Sequence, residues 1–421
     1  MIKKRALLIV FLLLFSFVTL FAQGENLTVK VVVMGPGDEV YFWWGHVALI
    51  IEDSVTGRSS FYDYGIFSFD NENFYYNFAF GRLLYSSGVS PTENNVALSI
   101  YRNRSIVFYT LDLPPETRIK IKDFVENNIL PENRDYYYHH FRDNCSTRIR
   151  DIIDLATGGQ FKEQYGKAPG SFTLREHVRR HTWFSPVLDW ILNFWMGQVI
   201  DTPITEWDDM FLPSEVGARI NNFIYTDSNG VRRKLVSDVQ TIYTPEGRPA
   251  VLDTPRKQWP RQLAFSLALS AIFVFLFFLC AKKVRAGRIL AGINMSLAGL
   301  VFGIAGLTLY FLALFTNHDY TYQNCNMIFC TPLLLAAVPL GISYAFTKKT
   351  EKFIIYNALL RLIWLLTVLG ILVSMAIKLL PQFYQQNLTD QMLMLPIALV
   401  FTFQPAGLRE VIDRFFPRKK A

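Results

Sequence analysis

Cys145 is the residue in this sequence whose type and setting best suit covalent chemistry. It stands in Arg142-Asp143-Asn144-Cys145-Ser146-Thr147, and Ile149, Ile152, Ile153 and Leu155 then recur at helical spacing until Gly158-Gly159. The spacing predicts a loop-to-helix junction at the thiol. In a helix's first turn the unpaired N–H groups and the dipole favour the thiolate, the form that attacks carbonyls. Ser146 or Thr147 can cap the same turn, and the Cys145 N–H can donate to an oxyanion. Such a site needs an imidazole as base and later as acid. His46 is the favoured candidate, in Trp43-Trp44-Gly45-His46-Val47-Ala48-Leu49. A third polar group should orient the ring. Hairpin arithmetic puts Asp63, in Tyr62-Asp63-Tyr64-Gly65, within about two residues of the position facing His46. Tyr138, His139, His140 and Asn144 lie nearer the thiol in sequence and are alternatives.

The elements that must hold these groups are legible as an α+β pattern. The β-branched run from Leu27 to Met34 reads as a strand and Gly35-Pro36-Gly37-Asp38 ends it. Strands at 42–52 and 59–64 form a hairpin about Ser54–Arg58, and strand-like stretches follow at 96–101 and 106–111. Pro114-Pro115 opens a helix to about Asn128. An aromatic strand from Asp135 to Phe141 leads into the cysteine loop. Beyond 160 the pattern is mostly helical to Met196, then loop-rich with a small hairpin at Asp227-Ser228-Asn229-Gly230.

Where this domain resides follows from hydropathy and charge. Lys3, Lys4 and Arg5 precede an apolar run from Ala6 to Phe21, so residues 1–22 read as a signal peptide or retained N-terminal anchor. Apolar stretches at about 263–281, 289–315, 327–346 and 353–378, with a weaker one at 391–408, predict about five transmembrane helices. Lys282, Lys283, Arg285 and Arg288 follow the first stretch, and Lys348, Lys349 and Lys352 follow the third. Those ends are therefore cytoplasmic, as is the basic C-terminus. The expected domains are the leader, an exported domain over 23–262, and a transmembrane region over 263–421. The formal net charge of +7 does not argue for nucleic acid, because residues 23–262 hold 25 Lys and Arg against 30 Asp and Glu. That domain has a single cysteine, which excludes an internal disulfide framework.

Other polar groups read as lesser candidates. His177 and His181 are four apart on a helix, but the His-Glu-x-x-His pattern of a metal site is missing, and neither metal nor cofactor is expected. Asp208-Asp209 read as solvated loop charges. Arg361, in the fourth apolar stretch, is expected to snorkel to the cytoplasmic face.

The segments Trp44-Gly45-His46-Val47-Ala48-Leu49, Tyr62-Asp63-Tyr64-Gly65 and Tyr138-His139-His140-Phe141-Arg142-Asp143-Asn144-Cys145-Ser146-Thr147-Arg148 resemble the Lnb N-terminal periplasmic domain family, over roughly 30–260. The later helical half resembles the membrane region that accompanies that domain. The family in turn is similar to permuted papain-like and NlpC-type cysteine hydrolases, in which the histidine strand precedes the cysteine helix. The resemblance implies Cys145 as nucleophile and His46 as base, leaving the third residue open. The expected fold is thus an α+β papain-like (permuted) exported domain on an all-α transmembrane bundle in the inner membrane. Its expected partners are the membrane and an envelope lipid, lipoprotein or cell-wall substrate. A role in maturing a secreted protein client is the other implication of the resemblance.

Overall fold

The structure, a computed structural model, describes residues 24–70 and 72–406; the expected leader lies outside them. The chain divides into two compact units. One comprises residues up to Leu174 plus Pro203–Leu252, the other Arg175–Thr202 plus the chain from Asp253 onward.

The first unit is an α/β domain on an antiparallel sheet. Its strands are β1 (Leu27–Met34), β2 (His46–Asp53), β3 (Arg58–Ile66), β4 (Leu84–Pro91), β5 (Ile106–Leu111), β6 (Asp135–Tyr137) and β9 (Val236–Tyr243), in the order β6-β4-β3-β2-β1-β5-β9. A separate hairpin pairs β7 (Ile224–Thr226) with β8 (Arg232–Lys234). Helices in this unit include α1 (Phe74–Ala79), α2 (Thr92–Tyr101), α3 (Pro115–Asn128) and α4 (Cys145–Ala156). Central strands β1 and β2 are apolar on both sides because both sheet faces are covered. Val29, Val31, Val47 and Leu49 pack with Ile121 and Val125 of α3 and Ile149, Ile152 and Ile153 of α4; Val32, Met34, Ala48 and Ile50 pack on the opposite side with Val96 of α2.

Two readings change here. The expected strand at 96–101 is helix α2, started by Pro91 with Glu93 in its first turn. Val96 packs on the sheet, and the strand position beside β3 belongs to the serine- and glycine-bearing β4. Propensity alone hides β4, since pairing with β3 rather than β-branched side chains makes it a strand. The edge strand β9 falls in the stretch expected to be loop-rich; Val236, Val239, Thr241, Ile242 and Tyr243 are strand formers, but its side chains from Ser237 to Thr241 are all exposed, so no in-and-out alternation marks it.

The second unit is helical: α5 (Leu174–Thr182), α6 (Pro186–Trp195), α7 (Trp259–Ala281), α8 (Arg285–Phe315), α9 (Ala337–Phe346), α10 (Thr350–Ile377) and α11 (Leu388–Phe403). Three of these, α7, α8 and α10, are long and apolar enough to cross a membrane; Pro332–Phe346 and Leu388–Phe403 are shorter apolar helices. Residues 175–202 were expected within one exported block, and the structure groups them with these helices. The reason is a dense polar tie. Arg175, fully buried, pairs with Asp201 at 2.8 Å and donates to the carbonyls of Asn193, Met196 and Gly197. Asn324 donates to the Phe194 and Trp195 carbonyls, and Gly197 N–H to Tyr320. Arg361 does not snorkel either. It is buried and donates to the carbonyls of Thr402, Gln404 and Ala406, filling acceptors that the end of α11 leaves open.

Replacing Arg175 by Ala strands Asp201, whose side chain is 1% exposed, as an unpaired buried charge. The expected loss is about 3–5 kcal/mol. Thermal unfolding of the full-length protein in detergent followed by helical circular dichroism checks this, with an unchanged midpoint as the contrary result.

Candidate active site

The site forms where two strands part. β2 begins at His46, directly after Gly45, whose φ of +83° suits glycine and whose Cβ, if present, would lie 2.7 Å from the Met34 carbonyl oxygen. On one side His46 is in register with Met34 of β1. On the other, the β2–β3 ladder runs only from Leu49↔Tyr62 to Asp53↔Arg58, so His46, Val47 and Ala48 lie beyond it. β3 meanwhile stays with β4 and breaks register between Tyr64 and Ile66, where Gly65 takes φ +86° with the Tyr138 ring against it. Asp63 bridges the diverging ends, its Oδ1 2.6 Å from His46 Nε2.

Helix α4 delivers the thiol to the same place. Asn144 is its N-cap: Oδ1 accepts from Ser146 N–H at 2.9 Å and Thr147 N–H at 3.0 Å, while Thr147 Oγ1 accepts from Asn144 N–H at 2.8 Å. Its Nδ2 donates to the carbonyls of His140 at 2.8 Å and Phe211 at 3.0 Å. Asn144 is therefore spent on fixing the helix start. The same turn leaves Cys145 N–H at the first helical position, without an acceptor in its own helix. Cys145 is 8% exposed. Its sulfur lies 3.9 Å from Ser146 Oγ, and the His46 imidazole and Val47 N–H both act on it to favour the thiolate. With Nε2 facing Asp63, the ring nitrogen left for sulfur is Nδ1.

Charge follows geometry. Burial pulls the His46 pKa down, but the Asp63 carboxylate and then the Cys145 thiolate outweigh it, so the imidazole is pushed up to about 10. Burial likewise pulls the Cys145 thiol up, and the His46 charge, its hydrogen bond and that of Val47 N–H reverse this, leaving the thiol below its ordinary 9.0. The two shifts define a window, bounded below by the lowered thiol and above by about pH 10, in which the pair exists as thiolate and imidazolium.

Of the residues picked from sequence, Cys145, His46 and Asp63 come together. Asn144 caps the helix. His139 is turned to its own loop, where Nδ1 accepts from Phe141 and Arg142 N–H, and His140 stacks edge-on with Tyr138. His177 and His181 share a face of α5, but Arg180 lies 3.1 Å from His177 Nδ1 and His181 Nδ1 donates to the His177 carbonyl. Asp209 is not a solvated charge; fully buried, it accepts from Arg219 and from Ser171 N–H. Sequence reasoning missed the Val47 amide, which only the short β2–β3 ladder reveals.

An α/β domain followed by three helices long and apolar enough to cross a membrane defines a membrane protein. Residues 16–180 match the Lnb N-terminal periplasmic domain and residues 260–403 the Lnb transmembrane domain. The chain belongs to the Lnb family, with both its periplasmic and its transmembrane part. No curated protein and no solved structure matches it.

Two measurements check the geometry. Iodoacetamide alkylation of Cys145 should reach its plateau with a midpoint below pH 9.0. The thiolate is then present above the lowered pKa and lost as pH falls through it, and His46→Ala should return the midpoint to 9.0 or higher. A wild-type midpoint at or above 9.0 contradicts the ion pair. Asn144→Ala should cost about 0.5–2 kcal/mol as a lost N-cap, read by chemical denaturation, and an unchanged stability would deny it that role.

Proposed function

We propose that this chain is a multi-pass inner-membrane thiol hydrolase or acyl/peptidyl transferase acting on an amide or ester of the cell envelope. The observation that carries the reading is one imidazole placed between a carboxylate, 2.6 Å from Nε2, and a helix-seated thiol. In this reading Cys145 attacks the carbonyl and the leaving group takes a proton from His46. Asp63 holds the ring and balances its charge, and water or an acceptor amine then resolves the thioester. The order of His46 before Cys145, with a cysteine helix packed on an antiparallel sheet that carries the histidine, supports a permuted papain-like fold. We further take the exported region as 23–262 and the membrane bundle as five helices, the three long spans being joined by Pro332–Phe346 and Leu388–Phe403.

A lipid-linked substrate is the form we favour. The chain is anchored by long apolar helices, and a track of stacked rings leads outward from the site. Tyr138, whose ring lies against Gly65 near Asp63, contacts Tyr85 at 4.6 Å; Tyr85 stacks on Phe67 at 5.0 Å, and Phe67 meets Phe69 at 5.2 Å. Phe69 is 49% exposed and Tyr75, stacked on it, 71%. Exposed contiguous aromatic surface suits an acyl chain.

The test is turnover by the full-length protein on detergent-solubilised envelope lipids and lipopeptides against soluble muropeptides, with Cys145→Ala as control. We expect turnover of the lipid-linked class and its abolition in Cys145→Ala. Preference for muropeptides rejects the lipid-linked substrate. Full cellular function of Cys145→Ala rejects the enzyme and points to an assembly factor for a secreted client.

A further inference from the structure

We propose that Tyr136 is a catalytic hydrogen-bond donor of this site, its hydroxyl stabilising the oxyanion that forms when Cys145 attacks a carbonyl. The inference rests on the thiol reading above and adds a residue to it. Tyr136 Oη is buried and makes no hydrogen bond. A hydroxyl taken from water and left unpaired is destabilising, so an unpaired one beside a nucleophile points to an acceptor that arrives with the substrate.

Its position fits. Tyr136 lies on β6, in register with Tyr85 of β4, and its ring packs against the cluster that contains Cys145. The Arg148 guanidinium covers that ring at 4.2 Å and is itself clamped by Asp143 at 2.5 and 2.8 Å. Arg148 stands three residues after Cys145, one helical turn along the same side of α4. From the other direction, Tyr136 Oη is 3.9 Å from where a Cβ would stand on Gly65, two residues beyond Asp63. The hydroxyl is thus held between the strand end that carries the imidazole's partner and the helix turn that carries the thiol.

Burial, followed by the Cys145 charge, raises the Tyr136 hydroxyl well above the ordinary tyrosine range. It therefore keeps its proton throughout the thiolate window and is available to donate it in a hydrogen bond. In the attack, the sulfur electron pair forms the C–S bond and the carbonyl π pair moves to oxygen. That oxyanion accepts from Tyr136 O–H and Cys145 N–H; its collapse restores C=O, expels the leaving group and leaves a thioester on Cys145.

Alkylation and acylation of the same sulfur separate this role from a structural one, because iodoacetamide forms no oxyanion and p-nitrophenyl acetate does. With full-length protein in detergent, Tyr136→Phe should slow the p-nitrophenolate burst by about 10²-fold, while its iodoacetamide rate and pH profile stay within about two-fold of wild type. A burst at the wild-type rate overturns the proposal, and so does an equal slowing of both reactions, which would mean a displaced thiol. No burst from the wild-type protein would overturn the thiol reading itself and this inference with it.

Discussion

Two elements that end without internal partners for their backbone, the first turn of α4 and the start of β2, come together around Cys145. The first turn of α4 cannot satisfy its amides internally, and the ladder between β2 and β3 stops at Leu49↔Tyr62, short of Val47. Asn144 takes the amides of Ser146 and Thr147, Val47 N–H favours the Cys145 thiolate, and the Cys145 amide has no acceptor within its own helix. A buried thiolate is costly unless paired and hydrogen-bonded. Here it is both, and His46 is in turn neutralised by Asp63. The rest of the domain serves that meeting: the sheet covers both sides of β2, and Asn144, strapped to the carbonyls of His140 and Phe211, sets the angle at which α4 enters.

The sequence made much of this visible because the deciding features are local. The apolar spacing after Cys145 marks a helix and the asparagine before it marks the cap, while Ser54–Arg58 marks a hairpin that sets Asp63 near His46. What stayed hidden depends on partners distant in the chain. β4, with its serines and glycine, is a strand by pairing and not by composition. Val47 N–H matters because the β2–β3 ladder leaves it outside, and Tyr136 Oη because it is buried without a partner, properties that no residue type announces.

Buried charges in the two units teach a related lesson. Arg361 within an apolar stretch and Asp209 beside Asp208 were each assigned to solvent, and both are buried. In each case the partner is supplied at a distance: the last carbonyls of α11 for Arg361, and Arg219 for Asp209. Arg175 does the same for the 175–202 segment, gathering Asp201 and three carbonyls into one knot. An arginine fork with five donors suits such clusters of open carbonyls better than a lysine. That residues 175–202 belong with the helical unit is not revealed by the order of segments along the chain.

The central claim is that Cys145 forms a covalent acyl intermediate. Full-length protein incubated with envelope lipid extract, quenched in acid and digested with trypsin, exposes it directly by mass spectrometry of the peptide Asp143–Arg148. The account predicts an acyl mass on that peptide, released by hydroxylamine as a thioester must be and missing from His46→Ala. An unmodified Cys145 peptide under conditions of turnover would contradict it.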